Sequence, residues 1–249
     1  MQSPLAKDRF GRLTQYPGKT CLPSPAQTPK TAVLLAFGQS NSANYGTGRY
    51  KAADNRVVNF FEGACYAAES PLLGADGEGG EPWTLLGNHL TGSGVFDQVI
   101  IVPAGVGATE IRRWAPEGDL HPMLMEVVRG VQKHYRITHL LWHQGELDFV
   151  LKTPEADYAR AFQALLQSLR EEGVAAPIYV CRATFVPDAG WTADNPVAAA
   201  QAKLVDGKTV FAGPDTDRHV PAADRHDQLH FAASGLETFA RLWAEILSR

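Results

Sequence analysis

No apolar run in this 249-residue chain approaches the roughly 20 residues that a membrane span needs. Positive charge is not in excess either. The formal net charge of −4 would attract neither nucleic acid nor an anionic membrane surface. Cysteine is scarce: Cys21, Cys65 and Cys181 are too few for a disulfide scaffold and lack the C-x-x-C spacing of a zinc ribbon. Cys181 lies in the apolar run Ile178-Tyr-Val-Cys181 and reads as a small buried hydrophobe, whereas Cys21 and Cys65 sit in loop-like sequence where a pairing stays open. The first residues, Met1-Gln-Ser-Pro-Leu-Ala-Lys-Asp8, lack the charged-then-apolar pattern of an export signal, although a removed signal would leave the same picture. No internal repeat is visible.

What is present is an ordinary globular composition, 45% hydrophobic and 20% charged, enough to bury a sizeable core. Residues 1–30 are polar, end in Leu22-Pro23-Ser-Pro25-Ala-Gln-Thr-Pro29, and read as an extended arm ahead of one domain over 31–249. Within that domain the continuous apolar runs at 32–37, 99–102, 139–142 and 178–180 suit strands buried on both faces, with weaker runs at 57–60 and 209–211. Amphipathic helices fall between them. Leu124, Val127, Val128, Val131 and Tyr135 share one helical face, as do Phe162, Leu165, Leu166 and Leu169 behind Thr153 as N-cap and Pro154 as first helical residue. Ser234-Gly-Leu-Glu237 reads as a capping box opening the last helix, whose apolar face runs from Leu236 to Leu247. Strands alternating with helices predict an α/β fold with a mostly parallel sheet covered on both sides, and a ligand site beyond the carboxyl ends of the strands.

The residues following those runs carry the chemistry. Gly38-Gln39-Ser40-Asn41-Ser42 places a serine at a glycine-opened strand-to-helix turn, where a nearby N–H can stabilise an oxyanion. Gly105-Val-Gly107-Ala-Thr109 allows close approach of a backbone N–H to a ligand. Trp142-His143-Gln144-Gly145-Glu146 crowds polar side chains at a strand end, where Gln144 can donate to an oxyanion and Glu146 can orient its neighbours. Asp227-Gln-Leu-His230 pairs an acid with a histidine that could take a proton from serine. Taken singly, each has a plain structural role: Ser40 an N-cap, the glycines a turn, Asp227 and His230 parts of a solvated acidic loop. Together they supply a nucleophile, oxyanion donors, a base and an orienting acid.

Gly38-Gln39-Ser40-Asn41, Trp142-His143-Gln144-Gly145-Glu146 and Asp227-x-x-His230 resemble the motifs of the sialate O-acetylesterase-like group of SGNH hydrolases and their relatives in carbohydrate esterase family six. Gly107-Ala-Thr109-Glu-Ile111-Arg-Arg-Trp114 is similar to the glycine block of that group. The resemblance implies a three-layer α/β/α sandwich, a single catalytic domain over 31–249, an esterase removing O-acetyl groups from a carbohydrate such as xylan or a sialic-acid-type glycan, and no cofactor or metal. It makes Ser40 the nucleophile, His230 the base and Asp227 its orienter, with the N–H groups of Ser40 and Gly107 and the Gln144 amide forming the oxyanion hole. Ala108 replaces a glycine usual in the block, leaving Gly105 open beside Gly107. Glu146 is the alternative triad acid. Gln39, Asn41, Trp114 and His143 are candidate substrate contacts, and Trp83 and Trp191 could stack on sugars if they are not packed in the core. Use of extracellular polysaccharide would favour a secreted or periplasmic enzyme.

Two rival readings remain at this stage. One is a non-catalytic carbohydrate-binding protein on the same fold. The other is a metallohydrolase using His219, His226, His230 and nearby aspartates. The glycine-rich stretch Gly74–Gly80 reads as a mobile surface loop near the site, with calcium binding as its alternative.

Overall fold

Apolar runs that need cover on both faces become the inner strands of one sheet. The computed structural model describes residues 4–187 and 195–249. In chain order the strands are β1 (Ala6–Lys7), β2 (Leu13–Gln15), β3 (Cys21–Leu22), β4 (Thr31–Gly38), β5 (Val57–Phe61), β6 (Ala64–Ala67), β7 (Gln98–Pro103), β8 (His139–His143), β9 (Ile178–Arg182) and β10 (Val210–Asp215). The helices are α1 (Trp83–Gly92), α2 (His121–Gln132), α3 (Glu146–Val150), α4 (Glu155–Glu171), α5 (Pro196–Leu204), α6 (Thr216–His219) and α7 (Ala233–Leu247).

Eight strands form the main sheet in the order β10-β9-β8-β4-β7-β5-β6-β3. The six from β10 to β5 are parallel, while β6 runs against β5 and β3 against β6. The arm therefore contributes an edge strand, and its β1 and β2 pair as a separate antiparallel ribbon.

Alternation along β4 sends Val33, Leu35 and Phe37 to one face and Ala32, Leu34 and Ala36 to the other. The first face is covered by α2, α4 and α5 through residues such as Leu124, Phe162 and Val197, the second by α1 and α7 through Leu86, Phe239 and Trp243. The result is the three-layer α/β/α sandwich. Each such side chain contributes about 1.5–3 kcal/mol when fully buried.

Local details differ from the sequence expectations. Pro154 is the N-cap of α4 and Thr153 precedes it, because the Thr153 hydroxyl donates to Asp148 Oδ1 at 2.8 Å and does not cap the helix. The capping box at Ser234 does not form: α7 starts at Ala233, and Ser234 Oγ donates to Asp224 Oδ1 at 2.6 Å. Cys21 pairs in register with Tyr66 and Cys65 with Leu22, so the two thiols leave opposite faces of the sheet and are free. The stretch 74–80 is not a mobile surface loop. Gly79 N–H donates to Asn44 O at 2.7 Å, Gly46 and Gly80 exchange backbone hydrogen bonds, and a Cβ on Gly80 would lie 1.4 Å from Gly48 O. Its glycines are there for close backbone contact.

The chain builds β5, β6 and β7 to one side of β4, then crosses to build β8, β9 and β10 on the other. The crevice at the carboxyl end of β4, flanked by β7 and β8, is thus the topological switch point.

Candidate active site

The turn after β4 is set by Gly38. Its φ is +126°, and a Cβ there would lie 2.1 Å from His143 O, so only glycine makes this bend against β8. Gln39 N–H then donates to His143 O at 3.0 Å, and Gln39 Oε1 accepts the N–H groups of Gly145 and Leu147 at 3.3 Å. Two strand ends are thereby tied together. Ser40 opens a single 3-10 turn, Ser40–Ser42. Its N–H, like others at a helix start, has no intrahelical partner and makes no hydrogen bond among the described residues.

Asn41 joins this turn to the far end of the chain. Its amide donates to Glu146 Oε1 at 3.0 Å and to Leu229 O at 3.3 Å, and its Oδ1 accepts Phe231 N–H at 3.2 Å. The loop carrying His230 is therefore held against the serine turn by buried hydrogen bonds. Within that loop Asp227 Oδ2 lies 2.6 Å from His230 Nδ1, and Oδ1 accepts the N–H groups of Leu229 and His230. Partial burial pushes the Asp227 carboxyl up, but the hydrogen bonds from the His230 ring and the two amides outweigh it and hold it well below the usual carboxylate range. Asp227 is an anion at neutral pH, fit to orient His230 with Nε2 outward.

Ser40 and His230 open onto one pocket of about 570 Å³, exposed to solvent and bordered by Gln39, Tyr45, Gly107, Ala108 and Glu146. Leu147, Val150, Val186 and Leu229 form its apolar side. No direct hydrogen bond within 3.5 Å joins Ser40 to His230, a looseness common before substrate is bound. A separate cavity beneath α2, lined by Phe60, Val102 and Met123, holds no nucleophile–base pair.

Several expected roles need correction. Gln144 is fully buried, and its amide donates to Thr109 O at 2.9 Å and Asp148 Oδ2 at 2.5 Å, so both of its hydrogens are spent and none faces the pocket. Gly107 N–H donates to Asp76 Oδ2 at 3.0 Å and is occupied as well. The adjacent Ala108 borders the pocket at φ +51°, and its N–H has no hydrogen-bond partner among the described residues. His143 is no substrate contact: it is 0% exposed, its Nε2 pairs with Thr216 Oγ1 at 3.0 Å, and burial with the nearby Arg225 charge lowers its pKa to about 3. Trp114 is also 0% exposed, packed on Phe37 and Trp142 with Nε1 donating to Thr109 Oγ1, and Trp83 is buried with Nε1 donating to Ser42 O. Trp191 lies outside the described residues.

Glu146 borders the pocket but does not reach His230. It is buried, with Oε1 on Asn41 and Oε2 unpartnered among the described residues, and burial raises its pKa to about 7 against the hydrogen bond from Asn41.

One residue that sequence reasoning passed over stands beside His230, and Asp76 holds it there. Tyr45 stacks on its ring at 5.0 Å and 21°, and Tyr45 OH donates to Asp76 Oδ2 at 2.6 Å. These partners are separated by 31 residues, so no local spacing signals them. His226, Asp227 and His230 bring donor atoms within 4.8 Å of one another and form a set that could hold a cation, though His226 Nε2 already contacts Tyr45 O at 3.1 Å and His219 is not part of the group.

The sequence model of the carbohydrate esterase family described as sialic acid-specific acetylesterase matches residues 30–249. The chain belongs to that family. It is a carboxylic ester hydrolase of the carbohydrate acetylesterase class, acting on O-acetyl esters of carbohydrates. No sequence among curated proteins matches it. Among solved structures it is similar to a protein from Arabidopsis thaliana, at 19% identity and a TM-score of 0.70, covering 88% of this chain and 98% of that one. It is also similar to a carbohydrate acetylesterase from Xanthomonas citri (15%, TM-score 0.57, 86% and 54% covered). A family 3 carbohydrate esterase from Clostridium thermocellum (14%, TM-score 0.52, 88% and 98% covered) is a third. At these identities the likeness shows the shared fold. The match begins at residue 30, so the arm that supplies β1 to β3 lies ahead of the family region.

Proposed function

We propose that this carbohydrate esterase works through an acetyl-serine intermediate, with Ser40 as nucleophile, His230 as general base and Asp227 as the acid that orients it. The observation that carries this reading is the convergence of Ser40 and the Asp227–His230 pair on one solvent-open pocket at the switch point of the sheet. His230 Nε2 takes the Ser40 proton as Oγ attacks the acetyl carbonyl. The oxyanion that forms is held by the N–H groups of Ser40 and Ala108, which border the pocket and have no internal acceptor among the described residues. Collapse expels the sugar oxygen, which receives the proton from His230. Water then attacks the acetyl-serine by the same route and releases acetate. An open pocket suits a small acyl group carried on a bulky glycan, such as acetylated xylan or an O-acetylated sialic acid.

The test is acetate release from both substrates by the wild type and by Ser40→Ala. Loss of release in the folded variant supports the serine mechanism, and the faster substrate identifies the glycan class. Retained turnover in Ser40→Ala would exclude it. A folded wild type that releases acetate from neither, and from no simple acetyl ester, would favour a binding protein on an esterase fold.

A further inference from the structure

A histidine base held by one in-plane hydrogen bond is only half oriented. The contact from His230 Nδ1 to Asp227 Oδ2 fixes the direction of the ring but leaves it free to tilt about the line joining those atoms, carrying Nε2 away from the serine. A flat group on the ring face removes that freedom. Tyr45 is such a group, stacked at 5.0 Å with only 21° between the planes.

Tyr45 is itself anchored. Its hydroxyl donates to Asp76 Oδ2 at 2.6 Å, and the same oxygen accepts Gly107 N–H at 3.0 Å, while Oδ1 accepts Gly77 N–H at 2.7 Å. Burial and the hydrogen bond to Asp76 push the Tyr45 phenol well above its ordinary range, so it stays a neutral donor at any working pH. The Asp76 backbone is fixed too, with its N–H on Gly105 O at 2.9 Å and its carbonyl accepting Asn44 N–H at 2.8 Å. Behind it stands the arm: the Arg12 backbone pairs with that of Asp76 as an isolated antiparallel β-bridge, Leu13 N–H donates to Ala75 O, and Gly74 N–H donates to Leu13 O. One carboxylate thus touches the residue that faces the base and the turn that presents Ala108 N–H to the pocket.

We infer that Tyr45 and Asp76 are positioning residues for the acyl transfer, a coupled pair that sets the plane of the His230 imidazole and the aim of the Gly107–Ala108 turn together. The inference rests on the Ser40–His230 reading proposed above. Neither residue transfers a proton or attacks the ester. They act through His230 and Ala108. A site loosened by about 1 Å loses up to about a hundredfold in rate, and that loss belongs in kcat, because the glycan still binds the same pocket.

The experiment is steady-state kinetics on an acetyl ester for Tyr45→Leu, Tyr45→Phe and Asp76→Asn beside Ser40→Ala, each checked for folding by circular dichroism and thermal melting. Tyr45→Leu and Asp76→Asn should lower kcat by about ten- to a hundredfold with KM held within about twofold, and Tyr45→Phe, which keeps the stacked ring, should recover most of the rate lost in Tyr45→Leu. Should Tyr45→Leu fail to fold, the nearly isosteric Asp76→Asn carries the test. Unchanged kcat in the folded variants, or a rise in KM alone, overturns the positioning role while an inactive Ser40→Ala leaves the serine mechanism standing. An active Ser40→Ala removes the mechanism itself, whatever the Tyr45 and Asp76 variants do.

Discussion

Asp227 Oδ2 lies 2.6 Å from His230 Nδ1, and the other oxygen of the same carboxylate accepts the backbone N–H groups of Leu229 and His230. Glu146, the second acid near the pocket, instead faces Asn41 and the buried ring of His143. Asp227, the acid that its spacing already favours, is thus the one in contact with His230, and Glu146 is not. Asp227→Asn should lower kcat by between about 10² and 10⁴-fold, the upper figure being the loss seen where a triad aspartate is replaced in a buried site. Glu146→Gln should stay within about tenfold of wild type. Rates on a simple acetyl ester decide, and the reverse order would make Glu146 the acid.

Ser40→Ala and His230→Ala should be equally severe, and the double variant no worse than either, because the two groups act as a unit. A loss of about 10⁴-fold or more is expected for each. A serine-directed phosphonate should add one label at Ser40, and treatment with a chelator should leave the rate unchanged. Inactivation by the chelator would point to a cation held at His226, Asp227 and His230.

Glu146 should also leave a signature in stability. Burial lifts its pKa from the ordinary 4.5 to about 7, so the folded protein holds this proton more tightly than the unfolded chain does. That contribution is complete below about pH 4.5 and is lost as pH rises through about 7. Glu146→Gln removes it. The variant should therefore gain on the wild type by up to about 3 kcal/mol between about pH 4.5 and about pH 8. Urea unfolding of both proteins across that range measures the difference, and parallel curves would show that Glu146 is not held in this state.

Asn41→Ala should cost about 2–3 kcal/mol in urea unfolding, since it strips a buried partner from Glu146 Oε1 and Phe231 N–H. It should also lower kcat more than tenfold, because the same side chain holds the His230 loop beside the Ser40 turn. Loss of stability with kcat intact would mean that the loop keeps its place without this clamp.

Gly38→Ala should destabilise by at least about 3 kcal/mol, from a Cβ 2.1 Å from His143 O at a φ of +126°. Thermal melting is the measurement, and a near-native midpoint would show that the turn can relax away from β8.

Much of this molecule is a local property of its chain. The runs at 32–37, 99–102, 139–142 and 178–180 are apolar throughout because both of their faces are covered, and continuity of that kind survives in one dimension. Ser40 and the Asp227–His230 pair are legible for a similar reason. A serine just after a glycine-opened turn stands out locally, and an acid three residues before a histidine can reach its ring within one loop. The edge strands β3 and β6 were not legible, being only two and four residues long and partly exposed. Nor was the capping of α7, because the hydroxyl of Ser234 found a carboxylate ten residues away.

What tertiary structure alone decided is which polar groups remain available. Gln144 and Gly107 have the right chemistry for an oxyanion hole, but folding brings Asp148, Thr109 and Asp76 to their donors and leaves Ala108 facing the pocket. Trp114 and His143 are amphipathic enough for a binding site, yet the core closes over them. A sequence carries each residue's capacity for hydrogen bonds. Whether that capacity is spent internally or kept for substrate depends on partners tens of residues distant, and only the packed chain brings those together.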